Sequence, residues 1–536
     1  YRTSILEKLM YSMFENRLNE LIYINNPSIV SASLSEAEVT LESSYKYLTI
    51  SLKEDVIQKG IEEVYELFES TKRFGFEQQE LDLALKNYLT NLSQDVNEID
   101  TRDAQSFIDE YTRHFTFDEM ISGRKKEYEL AQKISSNLEV EEINTLFQNF
   151  FTNQNRIILI TAPERIKNFP SENEIKNYIS KVEQSNVEKF VVKKIQDNLI
   201  DFDLKEAEVT KETYNELLDL TYLELSNGAK IYLKQTDFDS NKIYLKARSY
   251  GGYSHVESEK LSSARYFNEI TSLSDIYKFS VPELERIIPL EFASITPFVS
   301  RYTEGINGRT ITKYTKKWFE LLYLTFTDVR FNEELINNFK IENLQIYNNT
   351  KNQNSTKFQI KLTDEIYNNH PRKKSLTDKD ISKINIQDIK NIYKERFSDA
   401  SDFYFIIVGD FKYKEILPYI KKYIGSLPST FNNEYYVDRN IRSNKGKGVV
   451  IQADENPIKT TEYRFYNREF SNKTKDRVTY NLLIDILDKM LFDSIREEQN
   501  LVYSIGAGSY FNRSYPENNL SMMIFYSGEP SNVKKI

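Results

Sequence analysis

Few residues in this chain are of kinds that carry out chemistry unaided. Its three histidines, His114 in YTRHFTF, His255 in GGYSHVESE and His370 in YNNHPRK, are widely separated. A helical zinc motif needs two imidazoles three or four residues apart, as in H-E-x-x-H or H-x-x-E-H, and no pair meets that spacing. Each reads as a surface or hydrogen-bonded structural residue. Glu257 and Glu259 near His255 add too little for a metal site, so no metal is expected within this chain. There is no cysteine, which removes thiol nucleophiles, disulfides and zinc ribbons. No G-x-S-x-G elbow occurs. Gly251-Gly252 and the GINGRT segment (Gly305, Gly308) lack the continuations of a phosphate cradle and read as turns. One pair stands apart. FDSIREEQNLVYSIGAG, Phe492 to Gly508, sets Arg496 and Tyr503 seven residues apart, astride a polar turn between a helix and a strand. Taken alone, the arginine suits a helix C-terminus and the tyrosine suits strand packing.

The elements around these residues are legible in outline. LEKLMYSMFENRLNEL has helical spacing, SYKYLTISL reads as a strand, and VIQKGIEEVYELF and QELDLALKNYLTNL read as amphipathic helices. RIILITAPE, residues 156–164, reads as a buried closing strand. The segment 166–220 is polar and charged, a linker with some helix. At Asn227-Gly228 a hairpin is expected between two alternating strands. DFYFIIVGDF closes that unit, and GVVIQAD, TEYRFYNREF and the helix DRVTYNLLIDILDKMLFDSI follow.

Length and charge narrow the class. At 536 residues the chain exceeds one hydrophobic core and predicts roughly three domains of about 150–200 residues. With 71 basic and 81 acidic residues, a net charge of −10 and no long basic block, it lacks a nucleic-acid binder's footprint. Its apolar runs are strand-sized, short of the roughly 20 residues of a membrane span. No leader is visible at Tyr1, so localisation cannot be read directly.

An internal repeat organises the whole. YSMFENRLNEL, SIVSASLS, YKYLTISLKED and IQKGI recur in order as DKMLFDSIREE, SIGAGSYF, NLSMMIFYSGEP and NVKKI. The first copy has no counterpart of the Arg496/Tyr503 pair. The two copies are cut at opposite ends, so the sequence is expected to be an interior window of a larger protein.

LSNGAKIYLKQTDFDSNKIYLKARSYGGYS, together with FGFEQQELDLAL, LLYLTFTDVRFNEEL, FIIVGDF and LFDSIREEQNLVYSIGAG, resembles the M16 family of zinc metallopeptidases in content and order. This is the pitrilysin and insulin-degrading-enzyme type, and the likeness is greatest to long bacterial PqqL-like zinc proteases. The resemblance implies repeated α+β modules, each a mostly antiparallel sheet packed with helices, arranged as half-shells of a peptidase chamber. Residues 1–165 then correspond to a second module, 166–220 to a linker, 221–425 to a third module and 426–536 to an incomplete fourth. The zinc site, H-x-x-E-H, belongs to a first module that this sequence lacks. Where the third module would repeat it, the chain reads VESEKLSSARYFNEI.

In the family's fourth module an arginine and a tyrosine spaced R-x6-Y reach the substrate backbone, and they map onto Arg496 and Tyr503. Donors aimed at a carbonyl oxygen stabilise the charge that grows there in the transition state. The expected function is therefore the non-zinc portion of a zinc metalloendopeptidase. It supplies chamber walls and this pair, and is inactive by itself. The alternative is a non-catalytic binding or assembly subunit. Zinc is expected in the parent protein, peptide or small-protein substrates and the missing N-terminal module as partners, and no nucleic acid or membrane span. A periplasmic setting follows from the resemblance, with a cytoplasmic one as the alternative. Edge strands near GGYS are expected to hold an extended peptide by β-augmentation.

Overall fold

A computed structural model describes residues 1–23, 27–40, 43–54, 56–150, 156–162, 166, 169–192, 198–444, 460–469, 473–512 and 519–536. The expected strand GVVIQAD lies outside them. Helices pack on antiparallel-rich sheets, as the α+β reading requires. No described helix is long and apolar enough to cross a membrane.

The first unit opens with helix α1 (Arg2–Ile22), followed by the antiparallel pair β1 (Ile29–Thr40) and β2 (Ser43–Leu52) and helices α2 (Ile57–Phe74) and α3 (Gln78–Asn97). Ile5, Leu9 and Met13, at the fourfold spacing of one helix face, are buried with Leu81, Ala84, Ile143 and Phe147. Arg17 is buried among them. Its guanidinium forks onto Glu80 at 2.8 and 2.7 Å, donates to Thr71 Oγ1 and the Gly75 carbonyl at 3.0 Å, and lies over the rings of Phe76 and Phe190. Each of its three nitrogens thereby donates within the protein, which offsets the loss of water on burial.

Residues 156–162 depart from the expected strand. They join no sheet, and Ile157 is 93% exposed. A closing strand needs neighbours to supply its ladder, and β1 and β2 are the only described strands of this unit.

The large unit is a seven-stranded sheet in the order β3 (Val209–Asn215), β4 (Leu220–Leu225), β5 (Lys230–Gln235), β11 (Tyr404–Gly409), β6 (Lys242–Tyr250), β9 (Thr303–Ile311), β8 (Ala293–Val299). Only β11 with β5 is parallel. The Asn227-Gly228 hairpin forms as expected between β4 and β5, with Gly228 at φ +83° and its N–H on the Leu225 carbonyl at 2.8 Å. A short pair, β7 (Asp275–Ile276) with β10 (Val329–Arg330), flanks the sheet.

Two expectations differ here. β3 precedes residue 221, because its charged sequence VTKETYN gives no apolar alternation to read. The GINGRT segment is the interior of β9 and not a turn. A Cβ on Gly308 would crowd Ile295 and Trp318, and one on Gly305 would crowd Phe298, so these glycines make room for bulky neighbours. β6, which runs into GGYS, is internal, paired with β9 on one side and β11 on the other. The sheet edges are β3 and β8, so the open edge near GGYS is β8, whose end leads into Ser300, the carbonyl that accepts the Tyr253 N–H at 2.9 Å.

Polar contacts join the first and large units: Arg286 with Glu20, Lys242 with Glu98 at 2.8 Å, and Lys53 with Asn338 at 2.6 Å. Beyond the sheet an extended strap, residues 430–444, lies on the large unit through hydrogen bonds. Asn432 N–H donates to Asp399, Val437 N–H to Ser254 Oγ, and Arg439 Nε to the Ser254 carbonyl. Buried Arg396 binds the strap's Glu434 and stands 3.7 Å from buried Glu304, which also accepts the Gly252 N–H at 2.5 Å. Burial pushes the Glu304 carboxyl up to about 7, against the pull of Arg396 and with Glu434 and Asp402 adding to the rise.

The last unit is a three-stranded sheet, β12 (Thr460–Glu469), β14 (Asn519–Gly528), β13 (Ser504–Asn512), with the helix Thr474–Leu491 against β13. In the repeat, Leu482, Ile486 and Met490 of this helix take the places of Ile5, Leu9 and Met13 of α1. Here they are more than half exposed, because no described helix covers them.

Two outcomes follow. Leu9→Ala lowers unfolding free energy by about 2–5 kcal/mol, whereas Ile486→Ala changes it by no more than about 0.5 kcal/mol; equal costs would mean the two helices are equally covered. Because the folded-state pKa of Glu304 is raised, the folded protein holds an extra proton between about 4.5 and about 7, and stability falls as pH rises through that window. The loss is of the order of 3 kcal/mol at about 1.4 kcal/mol per pKa unit. Urea titrations at pH 5 and pH 8 should show a smaller pH difference for Glu304→Gln than for the parent, and an unchanged difference counts against this assignment.

Candidate functional site

Arg496 and Tyr503 sit where the helix Thr474–Leu491 gives way to β13. The helix does not stop at Leu491. It widens into a π-helical turn over Phe492–Glu498, a form that appears at functional sites because it displaces side chains from the regular helical track. Asn500 then reverses the chain in the left-handed region at φ +51°, which asparagine tolerates better than most residues. The Asn500 N–H reaches the Arg496 carbonyl and the Leu501 N–H the Ile495 carbonyl, both at 3.1 Å. Asn532 Nδ2 donates to the Leu501 carbonyl at 2.9 Å.

β13 is fixed from two sides. The Tyr503 N–H donates to the Ser527 carbonyl of β14 at 2.8 Å, beginning a ladder that continues as Ser504 opposite Ser527 and Ile505 opposite Tyr526. On the outer edge, Asp488 of the helix accepts the Ala507 N–H at 2.7 Å. A Cβ on Gly506 would stand 3.1 Å from the same carboxylate, so the glycine permits this approach. Beneath lies a small core of Val502, Ile505 and Tyr526.

Just before β13, Val502 is buried and Tyr503 is turned outward, 62% exposed. Among the described residues its hydroxyl has no hydrogen-bond partner. Arg496 is exposed as well, with its guanidinium over the Phe492 ring at 4.7 Å and near Glu497 at 3.4 Å. An exposed ion pair of this kind contributes about 0–1 kcal/mol and leaves the cation available. The site therefore offers two uncommitted donors, one charged and one neutral, on a backbone that hydrogen bonds hold in place. Sequence reading found the pair but missed Asp488 and Asn500. An asparagine just beyond the last helical turn was the available signal for the second.

The histidines do other work. His114 Nδ1 bonds the Glu119 carbonyl at 2.6 Å, and His255 and His370 bond the strap's Tyr435 and Arg439 carbonyls at 2.7 and 3.1 Å. Among the described residues no group of His, Asp or Glu could hold a metal ion. The donor set present does not fit zinc.

Residues 383–535, which include Arg496 and Tyr503, match the family model described as the peptidase M16 inactive domain. Over its whole length the chain is 18% identical to the probable zinc protease PqqL of Haemophilus influenzae, and over 94% of it 21% identical to the Escherichia coli protein of that name. It spans 57% and 55% of those two relatives, a little over half of each. In solved structures its fold is similar to that of the periplasmic protease PqqL from Escherichia coli, with a TM-score of 0.58 at 18% identity. The ferredoxin protease FusC, solved in complex with Arabidopsis ferredoxin, gives 0.62 at 13% identity. Both matches cover all of this chain and 60% and 59% of the others. The M16 model thus covers the last part of the chain, the whole chain is similar to the PqqL-type zinc proteases, and its 536 residues contain no H-x-x-E-H.

Asn500→Val, which forces a β-branched residue into the left-handed region, costs about 1–3 kcal/mol locally and speeds amide hydrogen exchange across residues 495–507. Asn500→Gly leaves that exchange unchanged. Indistinguishable exchange in the two variants would mean that the reversal does not fix the pair.

Proposed function

For this M16-like chain we propose the role of the non-zinc portion of a peptide-hydrolysing enzyme, in which Arg496 and Tyr503 act on substrate beside the scissile bond. The observation that carries the reading is the pair itself: an exposed tyrosine hydroxyl and an exposed guanidinium whose one ion pair, with Glu497, is solvent-exposed, on a turn held by five backbone-directed hydrogen bonds within the region matched by the M16 model.

The chemistry asked of them is modest. As a peptide carbonyl goes tetrahedral, its oxygen gains charge. The Tyr503 hydroxyl can donate to it, and the Arg496 guanidinium can hold the neighbouring backbone carbonyl or the developing charge. Both interactions strengthen toward the transition state, so they raise turnover more than they tighten substrate binding. Zinc belongs in this reading to a module outside these residues, and none of the residues described would ligate it. The units form chamber walls around a peptide or small protein, in a periplasmic setting like that of the Escherichia coli protease. A second reading is a non-catalytic binding or assembly subunit. It is separated from the first by whether the full-length polypeptide carries that motif.

In the full-length protein Tyr503→Phe reduces kcat for peptide cleavage at least tenfold, at the lower side of the roughly hundred- to thousandfold typical of a lost carbonyl-directed donor. KM and the unfolding midpoint stay close to those of the parent, because the hydroxyl is exposed. Unaltered kcat would refute the role.

A further inference from the structure

The large unit carries a second candidate site, unrelated to Arg496 and Tyr503. Between the end of the helix Thr315–Thr327, strand β10 and the helix Ile386–Arg396 lies a cleft of about 510 Å³, within the roughly 300–1,000 Å³ of small-molecule sites. Its floor is aromatic. Tyr393 stacks on Phe397 with ring centroids 4.6 Å apart, and Phe331 and Phe326 meet these two rings edge-on at 5.7 Å each. The Tyr393 hydroxyl is turned inward onto the Thr325 carbonyl; Tyr393 and Phe397 are themselves buried, and the apolar surface open to the cleft is that of Val329, Phe331 and Pro428.

The mouth is cationic. Lys390 and Lys394 project from successive turns of one helix face and are exposed. Among the described residues neither ammonium has an ion-pair or hydrogen-bond partner. Like charges at this spacing repel by a few tenths of a kcal/mol, a cost that an anion between them reverses. Arg330, also at the mouth, is occupied by Asp328 at 3.2 Å, so the two lysines are the uncommitted charges.

We infer that this cleft binds a carboxylate carried on an apolar, aromatic-sized body, with the ring against Val329, Phe331 and Pro428 and the carboxylate between Lys390 and Lys394. Two sources share that chemistry: a free organic acid, and the C-terminus of a peptide that ends in an apolar residue. The inference does not depend on the role of Arg496 and Tyr503.

Calorimetric titration of the 536-residue chain with 4-phenylbutyrate, 4-phenylbutylamine, and a hexapeptide ending in phenylalanine as free acid or amide tests it. At least one carboxylate should bind ten times more tightly than its uncharged or cationic counterpart, and the tighter of the two identifies the source. The double variant Lys390→Glu with Lys394→Glu should weaken that binding at least tenfold. Its unfolding midpoint should not change, because both side chains are exposed. Equal binding of acid and amine, binding of neither carboxylate, or a double variant that binds like the parent would overturn the assignment.

Discussion

The candidate function rests on one chain reversal. Arg496 and Tyr503 belong to different elements, and only the widened helical turn and the left-handed Asn500 bring the end of one element to the start of the other. Asp488 closes the loop of constraints: a helix residue accepts from the outer edge of β13, so helix and strand cannot slide independently. A one-residue slip in β13 would take the Tyr503 N–H off the Ser527 carbonyl and the Ala507 N–H off Asp488. The ladder to β14 and the Asp488 contact together forbid it.

The other units solve a related problem with buried charge. In the first, Arg17 joins α1 to the α2–α3 turn through Glu80, Thr71 and the Gly75 carbonyl, with all three nitrogens donating. In the large unit Arg396 serves two carboxylates, Glu304 and Glu434, and the second belongs to the strap that leads toward the last unit. Guanidinium suits both places because its planar fork binds two acceptors at once. The strap is held by polar contacts and little apolar burial. Its attachment therefore depends on geometry and on charge state more than on buried area.

Much of the fold was legible because local signals agreed with the tertiary outcome. Asn227-Gly228 dictates its own turn, the spacing of Ile5, Leu9 and Met13 dictates a helix face, and the repeated helix–strand–strand order appears in the structure as α1–β1–β2 and again as the helix Thr474–Leu491 with β13 and β14. The errors arose where a neighbour decides. RIILI has strand composition but no described strand beside it, whereas FIIV has β5 and β6. The glycines of β9 look like turn residues until Trp318 and Phe298 are seen to occupy the space they leave. The internal position of β6 depends on β11, about 150 residues later, inserting between it and β5, and no local pattern announces that. The site was legible as a spacing, while its positioning residues were not. Asp488 is one of many helix acids, distinguished only by the edge N–H it meets.

The account holds that Arg496 and Tyr503 act on one substrate group as a unit. A double-mutant cycle on kcat/KM for peptide cleavage by the full-length protein, using Arg496→Ala, Tyr503→Phe and both together, measures this most directly. The account predicts that the double variant loses clearly less than the product of the two single losses, with a coupling of at least about 0.5–1 kcal/mol. Losses that simply multiply, or single variants within twofold of the parent, would contradict it.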